Sequence, residues 1–332
     1  MDQLNKYDQY RPYQRNEELK LTRITRGKAA DPFMERGTII GVGRTFRVEK
    51  IVGGGAFGQI YRATDLEAGL VVAVKVEPKS RESARLVLEL SVLVQLIGGK
   101  HIPRVLYSGE LGKYNFIVMQ MLGRNLADLR RIQRNKHFSQ HTSVRIGVQC
   151  IEGLRDVHKL GFIHRDIKPS NVCVGIGEHR RILYVVDFGM ARQVRRPNGT
   201  FRRERSYASF RGTTRYVSLA VHDRKDQGMV DDLWCLYYSM VEMSEGGVPW
   251  RNLTDQDEIS RAKRVFNKTY SSRRMGKPFD AFPLILEKLT RTDVPDYDRL
   301  INVLKSCVTV FDDTIDFEWD DESSTQSMEF ME

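Results

Sequence analysis

The pattern of this chain changes once along its length, and that change limits what it can become. From Phe46 to Val76, short β-type runs are broken by glycines: FRVEKIV, GGGAFG, QIYRATD, LVVAVKV. Strand, turn and strand in that order is the pattern of an antiparallel sheet. Residues 82–97 switch to helical spacing, with Leu86, Leu90, Leu93 and Ile97 on one face, and a further strand pair follows around Arg104–Met121. After Gly123 the spacing turns helical over 124–135, 141–160 and 231–243, with short β segments near 172–174 and 182–186. The expectation is an α+β chain with a small β-rich N-terminal lobe carrying one major helix and a larger, mainly helical C-terminal lobe. Three regions are expected: a polar extension over 1–40, a folded domain over 41–315 divided near 120, and a tail over 316–332. The tail holds seven Asp/Glu and no Lys/Arg.

A length of 332 residues is ample for a sizeable core, and 41% hydrophobic content excludes disorder throughout. No apolar run approaches the roughly 20 residues that cross a bilayer, and Met1 to Arg15 has no apolar secretion core. Cys150, Cys173, Cys235 and Cys307 lie far apart, without zinc spacing or disulfide density, which points to a reducing compartment.

Four motifs carry chemistry. Gly53-Gly54-Gly55-Ala56-Phe57-Gly58 fits G-x-G-x-x-G, where glycines let backbone approach phosphate oxygens. A dinucleotide fold shows the same pattern but opens a helix at its third glycine; here Gln59-Ile60-Tyr61 continue as β. A glycine-rich hairpin with no ligand would also fit this motif taken alone. Val72-Ala73-Val74-Lys75 places a lysine on a strand, and Glu89 sits in the helix that follows. His164-Arg165-Asp166-Ile167-Lys168-Pro169-Ser170-Asn171 matches H-R-D-x-x-x-x-N, the most specific of the four. Asp187-Phe188-Gly189 follows a hydrophobic strand, 21 residues after Asp166. A cation, hard oxygen ligands and a candidate base arriving in this order suit in-line phosphoryl transfer with Mg²⁺ rather than zinc.

In that order these motifs resemble the protein kinases. The activation segment lacks A-P-E and reads Gly212-Thr213-Thr214-Arg215-Tyr216-Val217-Ser218-Leu219-Ala220, with Asp231-Asp232-Leu233-Trp234 and Val248-Pro249-Trp250 beyond. That is similar to the casein kinase 1 superfamily. Gly123–Arg131, His164–Asn171 and Asp187–Gln193 most resemble the tau-tubulin kinases, over roughly residues 44–320 up to Phe317-Glu318-Trp319. The resemblance implies a bilobal kinase fold and ATP with Mg²⁺ as cofactors. Asp166 would be the catalytic base, and Lys168, which marks a Ser/Thr acceptor, would neutralise the γ-phosphate. Lys75 would hold the α- and β-phosphates, paired with Glu89, and Asn171 and Asp187 would hold metal. Val52, Gly53 to Gly58, Ile60, Ala73, Met119, Gln120, Leu122, Asp128 and Cys173 would line the nucleotide, with Met119 the gatekeeper and Asp128 at the ribose. For Cys173 a small core residue is the plainer description. Thr213 would lie near the catalytic aspartate, and Asp232 would be a buried helix cap. The superfamily has Ser-x-Asn where this chain has Ser218-Leu219-Ala220, so an anchoring amide is missing.

Lys+Arg 53 against Asp+Glu 43 gives a net charge of +10, and eight arginines crowd 192–215 against Glu204 alone. Arginine forks suit carboxylates and phosphates, so Arg192, Arg211 and Arg215 are expected to bind acidic or phosphorylated protein substrates, cytoskeletal ones among them. A solvated loop is the alternative. A tail folding back on those arginines is weighed against one free in solvent. No zinc finger, RNP motif or basic arm supports nucleic acid, and no membrane partner is expected. The chain is read as a cytoplasmic monomer, also nuclear, whose rival identity is a catalytically weak pseudokinase or scaffold. Survival of Lys75, Asp166, Asn171 and Asp187 argues against that rival.

Overall fold

The computed structural model describes residues 31–55, 58–79 and 84–320. Its contacts divide the chain into two units: residues up to Leu86 with Arg104–Met121, and Val87–Pro103 with everything from Leu122 on. The α+β expectation holds in both.

The first unit is a six-stranded antiparallel sheet of β1 (Ile39–Ile40), β2 (Phe46–Gly54), β3 (Gln59–Asp65), β4 (Val71–Pro78), β5 (Val105–Leu111) and β6 (Tyr114–Gln120), in the order β1-β2-β3-β4-β6-β5. Alternation along β4 sends Val72, Val74 and Val76 into a core with Phe46, Val48, Tyr61, Phe116 and Val118. Ala73 and Lys75 therefore share the opposite face. The core also takes in Met34 and Ile40. The Phe33 N–H donates to Gln59 Oε1 at 2.7 Å, and the Met34 N–H to the Tyr61 hydroxyl at 3.0 Å. The polar extension therefore gives way to folded chain near residue 31, not 41; residues 1–30 lie outside the described residues.

Helix α1 (Ala84–Gln95) buries Leu86, Val92 and Leu93, and it also buries Glu89, 2% exposed. Ile97, expected on that face, is 44% exposed because the helix stops at Gln95 and Leu96 turns inward instead.

The second unit is built on α3 (Gln140–Lys159), whose Ser139 cap accepts the Thr142 N–H, and on α5 (Met229–Glu245), buried along nearly its whole length. Helices α2 (Leu126–Ile132), α4 (Leu219–His222), α6 (Gln256–Thr269), α7 (Ala281–Leu286) and α8 (Tyr297–Lys305) complete it. Short antiparallel pairs join β7 (Phe162–Ile163) with β10 (Arg192–Gln193), and β8 (Val172–Val174) with β9 (Leu183–Val185). Among the described residues, no helix is long and apolar enough to cross a membrane.

The first residues assigned to the acidic tail are part of this unit. Phe317 is 2% exposed and stacks on Trp319, whose ring meets Phe138 edge-on at 5.3 Å. Arg145, 1% exposed, lies 3.8 Å over the Phe317 ring and donates to the carbonyls of Asp313 and Ile315. Asp316 accepts from Arg181, and Asp320 closes its own turn on the Phe317 N–H. Asp320 is thus engaged locally, not among the arginines of 192–215; Asp321 onward lies outside the described residues. Phe317→Ala should lower stability by about 3 kcal/mol, the usual cost of emptying a buried aromatic site, as read by chemical denaturation. A chain ended at 316 should lose at least as much.

Candidate active site

Backbone geometry brings the polar residues of the second unit together. The β8–β9 pair has Val172 opposite Val185, so Asn171 and Asp187 leave the same end of the hairpin. The Val186 N–H donates to the Asn171 carbonyl at 3.0 Å. Asp187 and Arg165 both hold positive φ, 68° and 71°, a costly conformation for non-glycine residues that marks a constrained site.

Asp232 holds the loop that carries Asp166. It is 1% exposed, and its two oxygens take the N–H groups of His164 at 2.7 Å and Arg165 at 2.8 Å. His158 donates to it at 3.0 Å and accepts from the Tyr297 hydroxyl at 2.8 Å. Burial works to raise the Asp232 pKa, but the His158 hydrogen bond and the neighbouring imidazoles outweigh it, so the carboxyl stays below its ordinary value. The helix-cap role expected of Asp232 belongs to Asp231, which accepts the Gly228 N–H at 2.7 Å and the Ser218 hydroxyl. Burial raises Asp231 to about 6. The His164 ring accepts from the Asp166 N–H, donates to the Val186 carbonyl and meets Phe188 edge-on.

The Asp166 carboxylate is the most heavily hydrogen-bonded group of the site. Oδ1 accepts from the Thr213 N–H at 3.0 Å and its hydroxyl at 2.7 Å. Oδ2 accepts from Lys168 Nζ at 2.7 Å and Asn171 Nδ2 at 3.2 Å. Lys168 also donates to the Thr213 hydroxyl at 3.0 Å. All four acceptor directions of the carboxylate are used. Asn171 spends its amide N–H groups on Asp166, which leaves its carbonyl oxygen for a cation. Among the described residues, no three His, Cys, Asp or Glu cluster as a metal site, so a hard cation here needs oxygen donors beyond the carboxylates.

The expected nucleotide residues fall in both units. In the first, Val52, Gly53 and Gly54 lie on β2, Ile60 on β3, Ala73 and Lys75 on β4, and Met119 and Gln120 on β6. Gly53 pairs with Ile60, Ile60 with Lys75, and Ala73 with Met119. The Gly55 N–H turns back to the Gly58 carbonyl at 3.0 Å. A Cβ on Gly58 would come within 2.6 Å of the Val76 carbonyl, so only glycine fits. Ala56 and Phe57 lie outside the described residues. In the second unit, Leu122 precedes α2, and Asp128 is occupied by Asn125 and Arg131 at 2.7 Å each. Cys173 is a burial-raised thiol, pushed to about 12, on β8.

The arginine run differs from its reading in the sequence. Carboxylates from elsewhere reach it: Arg192 and Arg205 pair with Asp226, and Arg215 with Glu242, at 2.7, 2.7 and 3.1 Å. Among the described residues, no carboxylate pairs with Arg203 or Arg211, which are exposed. Arg203 and Arg211 are therefore among the guanidinium groups left for an acidic ligand, whereas Arg192 and Arg215 are engaged within the chain.

How the 213–220 segment is held without the missing amide is also answered. Ala220 lines a cavity of about 450 Å³ with Ser218, Asp226, Asp231 and Arg291. The anchor is Lys263 on α6, fully buried, with Nζ donating to the carbonyls of Thr214 at 2.8 Å and Val217 at 2.6 Å and meeting His222 Nε2 at 3.2 Å. The Tyr238 and Trp250 rings flank it at 4.9 and 5.6 Å, and Trp250 Nε1 donates to the Arg215 carbonyl. Lys263, Glu242 and Asp226 were all missed in the sequence. The readable sign for Lys263 was a lysine in the apolar stripe with Ile259 and Phe266.

The site has the composition of a phosphotransferase: a held carboxylate, a lysine on it, and amide and carboxylate oxygens at one hairpin end. Comparison with known proteins agrees. The protein kinase domain model matches residues 46–310. A "Probable serine/threonine-protein kinase" of Dictyostelium discoideum is 37% identical over 276 residues, 82% of this chain and 56% of that protein. A Caenorhabditis elegans protein whose name places it with casein kinase I is 34% identical, over 82% of this chain and 83% of that protein. The chain belongs to the protein kinase family.

Burial pushes the Lys263 pKa down to about 7. Its contribution to stability is therefore complete above the unfolded value and is lost as pH falls toward 7. Denaturation midpoints at pH 7, 8 and 9 should favour wild type over Lys263→Met increasingly, by on the order of 1 kcal/mol per pH unit.

Proposed function

We propose that this protein is an active serine/threonine kinase that transfers the γ-phosphoryl group of Mg-ATP to hydroxyls on acidic or already phosphorylated proteins. The observation that carries this reading is the Asp166 carboxylate held between Thr213, Lys168 and Asn171. Asp166 accepts the proton of the attacking hydroxyl, and Lys168, already bridging Asp166 and Thr213, offsets charge on the transferring group. Asn171 and Asp187 would hold the divalent ion, which supplies charge neutralisation at the phosphates. Lys75, with Glu89 assigned to it, would hold the α- and β-phosphates. On the same reading Gly53, Gly54, Gly55, Ala56, Phe57 and Gly58 would contact the phosphates, and Met119, Gln120 and Leu122 would serve the adenine.

Membership of the casein kinase 1 superfamily is supported by the relative whose name carries it and by Gly212–Ala220. The tau-tubulin kinases are the nearest branch on this reading, and cytoskeletal substrates, a monomeric state and a cytoplasmic location follow from it.

Asp166→Asn should lower phosphate incorporation into a Ser/Thr peptide by about 10²–10⁴-fold, measured with labelled ATP. Equal incorporation by both proteins would remove the catalytic assignment and favour a scaffold. Arg211→Gln should raise KM for acid-flanked peptides roughly fivefold and leave neutral ones unchanged, an effect that fades with salt. If wild type phosphorylates both peptide sets alike, the acidic preference is wrong.

A further inference from the structure

Asp226 lies in the turn between α4 and α5 and is 3% exposed. Its Oδ1 accepts from Arg192 Nη1 at 2.7 Å and from Arg205 Nη2 and Nε at 2.7 and 3.2 Å. Its Oδ2 takes the Arg205 N–H at 3.3 Å and lies 3.7 Å from Arg291 Nη2. Arg291 in turn donates to the Arg202 carbonyl at 2.9 Å. Burial works to raise this carboxyl, but Arg205 and Arg192 hold it below the ordinary range. One carboxylate thus joins the start of the 192–215 segment, its middle and the chain before α8.

Arg165, next to the catalytic aspartate, belongs to the same neighbourhood. Burial, and then the charges of Arg192, Arg205 and Arg211, bring it down to about 10. Its Nε is spent on the Met190 carbonyl at 2.6 Å. Clusters of arginines converging beside a kinase catalytic loop are the usual receptors for a phosphate that orders the segment. Here the centre of the cluster is already filled by an anion built into the chain. Of the hydroxyls in this segment, that of Thr200 donates to Asn198 Oδ1 at 2.7 Å and that of Thr213 to Asp166 at 2.7 Å.

We propose that Asp226 is a positioning residue that stands in place of an activating phosphate, linking Arg192, Arg205 and Arg291 so that the segment is ordered without modification. The proposal rests on the kinase reading above and adds to it the means by which the segment is held. A carboxylate presents two acceptor oxygens where a phosphate presents three, enough for the two arginines it bonds directly, with Arg291 at longer range.

The test uses the full chain as wild type, Asp226→Ala and Asp226→Glu. Wild type treated with phosphatase should keep its full rate. Asp226→Ala should lose roughly tenfold or more in peptide kcat/KM, with the KM for ATP within about twofold of wild type. Millimolar inorganic phosphate or sulfate should restore a good part of that loss and give wild type nothing, because the anion fills the vacated centre. Asp226→Glu should recover more than half of the activity. Trypsin should cut after Arg202, Arg203 or Arg205 faster in Asp226→Ala, with phosphate protecting those bonds; this readout stands even if no protein in the set phosphorylates peptide. Inactivation of wild type by phosphatase would overturn the proposal, and so would a folded Asp226→Ala that is fully active or that no anion rescues or protects. Should Asp226→Ala fail to fold, the phosphatase arm and the trypsin pattern of Asp226→Glu still decide it.

Discussion

The second unit depends on a buried charge. Asp232 is a carboxylate with almost no access to water, kept ionised by His158 and by the two backbone N–H groups it receives. A buried carboxylate is costly unless every lone pair is answered, and here the answer comes from the loop that must be placed. The loop cannot move without stranding the charge. That is why Arg165 can be kept at positive φ, and why Asp166 leaves the loop in one direction. Thr213, Lys168 and Asn171 then fix the orientation of the carboxylate itself.

The same device recurs around it. Glu242, on the largely buried α5, receives Arg215 and the Tyr216 hydroxyl, and Asp226 receives Arg192 and Arg205. In each case a buried or nearly buried acid reaches into the arginine-rich segment from beneath. The basic run is therefore not one solvated patch. Part of it is consumed in holding the segment, and the remainder, Arg203 and Arg211 included, faces outward.

Most of the fold was legible because its signals are local. Alternation on β4, helical spacing over α1 and α3, and the glycine turn at Gly53–Gly58 each depend on neighbouring residues. So does the chain of motifs from Lys75 to Asp187. What could not be read depends on distant partners. Glu242 and Lys263 sit in helices whose patterns announce only burial, and their purpose appears when Arg215 and the carbonyls of Thr214 and Val217 arrive from elsewhere. Asp226 is one acid in a polar turn. The ends of the domain were misplaced for a related reason: Phe33-Met34 and Phe317-Glu318-Trp319 are short apolar anchors in polar stretches, too short to show a periodicity.

The anchoring of the 213–220 segment has an evolutionary consequence. Lys263 and Trp250 grip it by the carbonyls of Thr214, Arg215 and Val217, groups that every amino acid carries. The side chain at 214 can therefore be exchanged without loosening these bonds, whereas Arg215 is tied down a second time, by its own side chain on Glu242. The course of this segment is thus set by its backbone more than by the side chains it displays, so sequence can change on its surface while its path is kept.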